Sequence, residues 1–246
     1  MQEQATTPIP KYGKVYLIGA GPGAADLITV RGARILATAD AVLYDALVTE
    51  DMLALCPQAL KMAVGKRCGR TSAEQSYINN QLIEHAAKYP IVVRLKGGDP
   101  MLFGRADEEL RALESHGIEV EIVPGITAAL AAAAASQQPL TKRGVARSVA
   151  FFTSSTAPNH PEQLTIPDCD TLIQYMGGRE AITTARKLLS LGRAPSTPVV
   201  AIENCSRPDQ RIFHLQLSEL ENGLADCQGP VLVMIGDALA KRETQA

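Results

Sequence analysis

Residues 91–105 do most to limit what this chain can fold into. Ile91-Val92-Val93-Arg94-Leu95-Lys96 is a short run of strand-forming character. It breaks at Gly97-Gly98-Asp99-Pro100, and Met101-Leu102-Phe103-Gly104-Arg105 then leads into an acid-rich, helix-forming segment. A strand that ends in two glycines lets backbone N–H and C=O groups approach a ligand with no Cβ in the way. In an open α/β sheet, ligands sit outside the carboxyl ends of the strands. The stretch therefore reads as a ligand-facing strand end, with an ordinary strand–turn–helix connection as the alternative, since Gly-Asp-Pro is also turn chemistry.

The same punctuation recurs along the chain. Val15-Tyr16-Leu17-Ile18 ends in Gly19-Ala20-Gly21-Pro22-Gly23, a helical pattern opens at Asp26 and runs to Ala39, and Ala41-Val42-Leu43-Tyr44 ends at Asp45. That spacing suits a right-handed β-α-β unit. A third strand over 60–64 ends in Gly65-Lys66-Arg67, and Ser72-Ala73-Glu74-Gln75 has the form of a capping box opening a helix. Residues 106–116 form an amphipathic helix on Leu110 and Leu113, closed by Gly117. A fifth strand over 120–123 stops at Pro124-Gly125, and the alanine-rich 126–135 segment suits a helix lying close to other backbone. Beyond Gly144 the alternation restarts, with strands expected at 148–153, 171–176, 199–203, 211–216 and 231–235, helices at 179–191 and 217–224, and a loop over 154–170. Two α/β domains are expected, 13–140 and 141–246. Hairpin-like spacing in the second predicts a mixed sheet there.

Several function classes are weakened. Gly19 and Gly21 fit the dinucleotide fingerprint, but its third glycine position holds Ala24, and Pro22 removes an N–H that a pyrophosphate would use. Lys and Arg total 24 against 26 Asp and Glu, a net charge of −2, so overall charge gives no reason to expect nucleic acid or an anionic membrane as partner. The 5 cysteines and 4 histidines are scattered without a CxxC pair, which predicts neither a disulfide framework nor a metal site. Residues 1–11 lack the apolar stretch of a signal peptide, and 126–135 is too short for a membrane span, so a soluble cytoplasmic protein is expected.

Taken in series, Val15-Tyr16-Leu17-Ile18-Gly19-Ala20-Gly21-Pro22-Gly23, Tyr44-Asp45, Val64-Gly65-Lys66-Arg67, Arg94-Leu95-Lys96-Gly97-Gly98-Asp99-Pro100 with Phe103-Gly104-Arg105, Pro124-Gly125-Ile126-Thr127-Ala128 and Tyr175-Met176-Gly177 resemble the tetrapyrrole (uroporphyrin/corrin) methylase family over about residues 13 to 240. The resemblance implies two α/β domains of the class III methyltransferase kind, with the cofactor cleft between them, and a homodimer. It implies S-adenosylmethionine as cofactor, S-adenosylhomocysteine as product and no metal. The implied cofactor contacts are Pro22, Gly97, Gly98, Asp99, Leu102, Thr127, Ala128, Met176 and, where the family commonly has glycine, Cys205. For Leu102 and Met176 the alternative is core packing, and Thr127 is equally suited to capping a helix. Family members often read Phe-Gly-Arg-Gly-Gly-Glu-Glu, whereas this chain has Ala106 and Asp107 at the two later glycine positions.

The implied reaction is C-methylation of uroporphyrinogen III at C2 and C7, giving precorrin-2 through precorrin-1. A substrate ringed with carboxylates calls for guanidinium groups, and Arg67, Arg70, Arg105, Arg143 and Arg147 all fall in loops beside expected strand ends. Arg105, Glu108 and Arg143 are the expected substrate contacts. Asp45 is the first choice for general base, Lys66 for its proton-donating partner, and Arg105 the other candidate for orienting the substrate or handling the proton. Asp45 as a turn cap and Lys66 as a carboxylate binder are the plainer alternatives. The remaining readings are a methylase of a later corrin precursor, a nicotinamide-dependent dehydrogenase, and a non-catalytic nucleotide-binding protein. With only a short polar stretch before Val15, no fused dehydrogenase or chelatase module is expected.

Overall fold

The computed structural model describes residues 12–65, 72–154 and 165–241. The chain separates into two compact units, Met1–Thr127 and Ala128–Ala246.

In the first unit, β1 (Lys14–Gly19), β2 (Ala41–Tyr44), β3 (Leu60–Ala63), β4 (Ile91–Lys96) and β5 (Val120–Val123) form one sheet in the order β3-β2-β4-β1-β5. Every pairing in it is parallel. Successive side chains on a strand point to opposite faces, and both faces are covered here. Ile18, Val42, Val93 and Leu95 meet Leu36 of α1 (Val30–Leu36) and Met52 and Leu53 of α2 (Glu50–Leu53). Val15, Leu17, Leu43 and Val92 meet Leu82 of α3 (Ser72–Ala86) and Leu113 of α4 (Ala106–Glu114). Burying each such side chain contributes about 1.5–3 kcal/mol, so the central strands are held from both sides. The connection leaving β1 runs to one face and the connection leaving β4 to the other. Ligand crevices form where adjacent strands diverge in this way.

The helix expected from Asp26 differs in detail. Ala25–Leu27 is a short 3-10 turn, and α1 begins at Val30, where the Thr29 hydroxyl accepts from Gly32 N at 3.1 Å. A side-chain cap fixes that start more firmly than the apolar spacing that made the pattern look continuous. Helix α3 is described from Ser72 onward.

In the second unit, α5 (Ala128–Ala135) leads into β6 (Val149–Thr153), β7 (Thr171–Tyr175), α6 (Gly177–Ser190), β8 (Pro198–Glu203), β9 (Arg211–Gln216), α7 (Leu217–Leu220) and β10 (Val231–Ile235). The sheet order is β6-β7-β10-β8-β9. Only β6 and β7 are parallel; β10 runs against both β7 and β8, and β9 against β8. The expected mixed sheet is therefore present. Because β10 opposes both its neighbours, β7 and β8 point the same way, and their following loops leave one edge of the sheet. Helix α7 stops at Leu220, short of the expected 224. Among the described residues no helix is long and apolar enough to cross a membrane.

Candidate active site

Three glycine loops close on one another at the carboxyl edge of the parallel sheet. Gly98 N donates to Gly21 O at 2.7 Å, and Gly21 N donates back to Gly98 O at 3.2 Å. A Cβ on Gly19 would lie 2.5 Å from Gly125 Cα and 2.7 Å from Gly98 O, so the ends of β1, β4 and β5 touch through bare backbone. No side chain fits there. Asp99 ties the assembly further: its carboxylate accepts from Gly125 N and from Met101 N, each at 2.9 Å. Gly98 adopts φ +70°, a left-handed conformation that favours glycine, and its Cα faces open space. Gly97, Gly98, Asp99 and Leu102 thus share one half-buried loop, next to the half-buried Pro22 on the loop that follows β1.

This arrangement also tells against a pyrophosphate cradle. Ala20 N and Gly21 N are engaged by Lys96 O and Gly98 O, Pro22 has no N–H, and the first α-helix begins only at Val30. No helix N-terminus stands at the glycine loop to receive an anion.

Asp45 follows β2 directly. Its backbone N–H donates to Leu95 O at 3.3 Å, and Gly65 at the end of β3 lies against it, where a Cβ would come 2.9 Å from Asp45 Cα. One carboxylate oxygen accepts from Arg94 Nη2 at 2.5 Å, with the Asp45 side chain 28% exposed. Lys66, Arg67 and Arg70 lie outside the described residues.

Behind Asp45, between β4 and α4, is a cluster that the sequence reading missed. Arg94 Nε and Lys96 Nζ each donate to a different oxygen of Glu109, both at 2.9 Å. The Glu109 side chain is fully buried, and those of Arg94 and Lys96 nearly so. Burial by itself would lower the Arg94 pKa, but Asp45 and Glu109 more than offset it and hold the guanidinium charged. Burial, then the charge of Arg94, pull Lys96 below the ordinary lysine range against the opposing pull of Glu109. The signal was present in the sequence. A central strand of a parallel sheet with cations at alternate positions, 94 and 96, must find an anion on the helix that covers it.

Arg105 adopts φ 56° at the start of α4, beside Phe103 at φ 52°. Its guanidinium grips both oxygens of Glu108 at 2.7 Å, and both side chains are almost half exposed. The structure thus brings Arg105 and Glu108 together. Arg143, in the second unit, is exposed at the tip of a tight turn closed by the Lys142–Ala146 bridge.

In the second unit, Met176 caps β7 with φ 57° and is 52% exposed. The next residue, Gly177, lies so close to β10 that a Cβ there would be 2.8 Å from a Val233 methyl group. Cys205 follows β8 at the same sheet edge. Asn204 and Ser206 on either side are left-handed, at φ 52° and 60°, but Cys205 is not. Cys205 therefore carries no left-handed backbone strain. Burial pushes its thiol up to about 11, so it is a neutral packing group at ordinary pH. Thr127 closes the first unit and Ala128 opens α5 in the second. Among the described residues, no group of three or more His, Cys, Asp or Glu side chains is placed to hold a metal ion.

The family model for tetrapyrrole (corrin/porphyrin) methylases matches residues 14–221. A uroporphyrinogen-III C-methyltransferase of Pseudomonas aeruginosa is 42% identical over 92% of this chain and 94% of its own. A siroheme synthase of Pseudomonas fluorescens is 41% identical over 94% of this chain, which spans about half (51%) of that protein's length. The crystal structure of the Thermus thermophilus uroporphyrin-III C-methyl transferase complexed with S-adenosylhomocysteine superposes with a TM-score of 0.79 at 39% identity, covering 95% of this chain and 98% of the other. Two α/β units, glycine loops meeting at strand ends and these likenesses lead to one assignment: the chain belongs to the tetrapyrrole (corrin/porphyrin) methylase family.

Proposed function

We propose that the protein is an S-adenosylmethionine-dependent C-methyltransferase that methylates uroporphyrinogen III at C2 and C7, giving precorrin-2 through precorrin-1. The observation that carries the reading is the meeting of the β1, β4 and β5 glycine loops beside Asp45, in a chain of this family. The residues fit the cofactor. Gly98 leaves open space where any other residue would put a Cβ, while Leu102 and Met176 offer uncharged surface to an adenosyl group and a methionyl arm. Pro22, Gly97, Asp99, Thr127, Ala128 and Cys205 complete the proposed contacts.

Bound S-adenosylmethionine supplies a sulfonium methyl group, and S-adenosylhomocysteine leaves with the electron pair of the broken S–C bond. The chain's part is to hold the two reactants in line, an orientation effect worth up to about 7–11 kcal/mol in favourable intramolecular cases. A ring carbon that has gained a methyl group leaves the pyrrole positively charged until a proton departs. Asp45 takes that proton, with Lys66 as its donating partner. Arg105, steadied by Glu108, and Arg143 hold substrate carboxylates. The protein works as a cytoplasmic homodimer without nucleic acid, membrane or metal.

Labelled methyl transfer to uroporphyrinogen III, read together with product mass, tests this. Two added methyl groups are expected. A single methyl placed only on a later corrin precursor moves the chain to that branch of the family, and cofactor binding without transfer to either rejects the enzymatic reading.

A further inference from the structure

Asp45 does not stand alone at the end of β2. It is the outermost member of a line of charges that runs inward through Arg94 and Glu109 to Lys96. The inner members are sealed between β4 and α4: Glu109 is 0% exposed, Arg94 2% and Lys96 3%. Arg94 is bound on every side. Its Nε reaches Glu109, its Nη2 reaches Asp45, and its Nη1 lies 3.3 Å from Leu95 O and 3.5 Å from Leu43 O. The guanidinium is planar, and two of its edges are fixed by groups on different elements, so its direction of approach to Asp45 is set by the sheet.

Fold stability alone gives little reason for such an arrangement. Replacing a buried ionic cluster by apolar side chains of similar volume is often neutral or stabilising. The surrounding core is already well supplied with apolar residues: Leu17, Leu43, Val92, Ala106 and Leu113 lie around the same helix–sheet layer. What the cluster provides and apolar residues could not is a fixed position for a carboxylate that is itself 28% exposed at a strand end. Arg94 takes one oxygen of that carboxylate. Glu109 keeps Arg94 from swinging away, and Lys96 balances Glu109's second oxygen, so that no buried charge lacks a partner.

We infer that Arg94 is a positioning residue for Asp45, that Glu109 and Lys96 lock it in place, and that the buried cluster sets the rate of the deprotonation step and not the affinity for the methyl donor. The inference rests on the reading of Asp45 as the base. A displacement of the reacting group by about 1 Å can lower a rate by about 100-fold, which sets the scale of the expected effect. Lysine at position 94 keeps a charge but cannot span Glu109 and Asp45 together.

The test is a double-mutant cycle on the full chain with Asp45→Asn and Arg94→Lys. Each variant is followed by single-turnover formation of the methylated and deprotonated product and by calorimetric S-adenosylhomocysteine binding. Arg94→Lys alone should lower the single-turnover rate by about 10- to 100-fold with cofactor affinity within about twofold of the parent. On the Asp45→Asn background the same change should cost less than about threefold, because groups acting as one unit are strongly non-additive. Equal factors on both backgrounds, or cofactor affinity falling in step with rate, overturn the inference while leaving Asp45 as base. Near-normal turnover by Asp45→Asn overturns the reading of Asp45 itself. Where Arg94→Lys does not fold, Glu109→Gln takes its place, since it keeps volume while loosening the lock. A loss of rate that again disappears on the Asp45→Asn background supports the inference. Failure of both to fold while Asp45→Asn folds overturns it, because the cluster is then only scaffold.

Discussion

The two units bury carboxylates in opposite ways. In the first, Glu109 is enclosed with two cations that are themselves enclosed. In the second, Glu203 is also buried, but it accepts from Gln228 N and Gly229 N, both at 2.6 Å, and meets the half-exposed Arg211. Burial pushes the Glu203 carboxyl up, yet the Gly229 N–H, Arg211 and the Gln228 N–H together bring it below the ordinary carboxylate range. Glu203 staples a loop whose turn is irregular, with Asn204 and Ser206 both left-handed. Backbone donors are already fixed by the chain, so a carboxylate among them brings in no second buried charge. Glu109 is matched by side-chain charges instead, and every member must stay for the rest to be tolerated. The first design is fragile and directional; the second is local.

That contrast can be broken by mutation. Glu109→Leu leaves Arg94 and Lys96 facing each other without their anion, and should cost about 3–5 kcal/mol in urea unfolding of the whole chain. A loss under about 1 kcal/mol would mean the cluster relaxes or hydrates easily. Gly125→Ala drives a Cβ into Gly98 O and close to Gly19 Cα; overpacking against backbone should cost about 3 kcal/mol, and S-adenosylhomocysteine affinity should fall with it. Glu203→Gln should cost less, about 1–2 kcal/mol, because its backbone donors keep an acceptor. This variant also carries a pH signature. Since the folded pKa of Glu203 is depressed, its contribution is present above the ordinary value of 4.5 and is lost as pH falls through the folded value. The parent's unfolding midpoint should therefore drop more steeply than the variant's on acidification below about 4.5. Met176→Gly has the smallest expected effect on stability, a gain below about 1 kcal/mol from relieving the left-handed residue after β7. The same variant should weaken cofactor binding, measured by calorimetry. Unchanged binding would remove Met176 from the site.

Much of the fold was legible because many strands here are short apolar runs, several of them closed by glycine, proline or aspartate. The segments 41–44, 120–123, 211–216 and 231–235 coincide with β2, β5, β9 and β10. Helix α2 was not legible, since the four residues Glu50–Leu53 are too few to show a period. The delayed start of α1 was hidden because Leu27 and Val30 fit one helical face, and only the Thr29 cap separates them. The glycine loops were readable as strand ends, but not the fact that Gly19, Gly98 and Gly125 touch, which depends on strand order. The buried cluster escaped for a related reason. In sequence terms Arg94 and Lys96 make one side of β4 polar, and Glu109 belongs to a polar side of α4. Only the layered topology turns those two polar sides toward each other.

Strand order has a further consequence, for the timing of folding. β1 and β2 leave the ribosome before β4, yet in the finished sheet they never pair with each other, because β4 lies between them and pairs with both. The N-terminal half of the sheet must therefore keep a vacant lane until residue 96 has been made. The strand that fills it brings two cations, and their shared anion arrives later still, on α4. Waiting for a distant strand is the kind of non-local closure that slows folding and leaves edges exposed. The strand that joins β1 to β2 is also the one that carries Arg94 to Asp45, so the two residues meet only once β4 has taken its place.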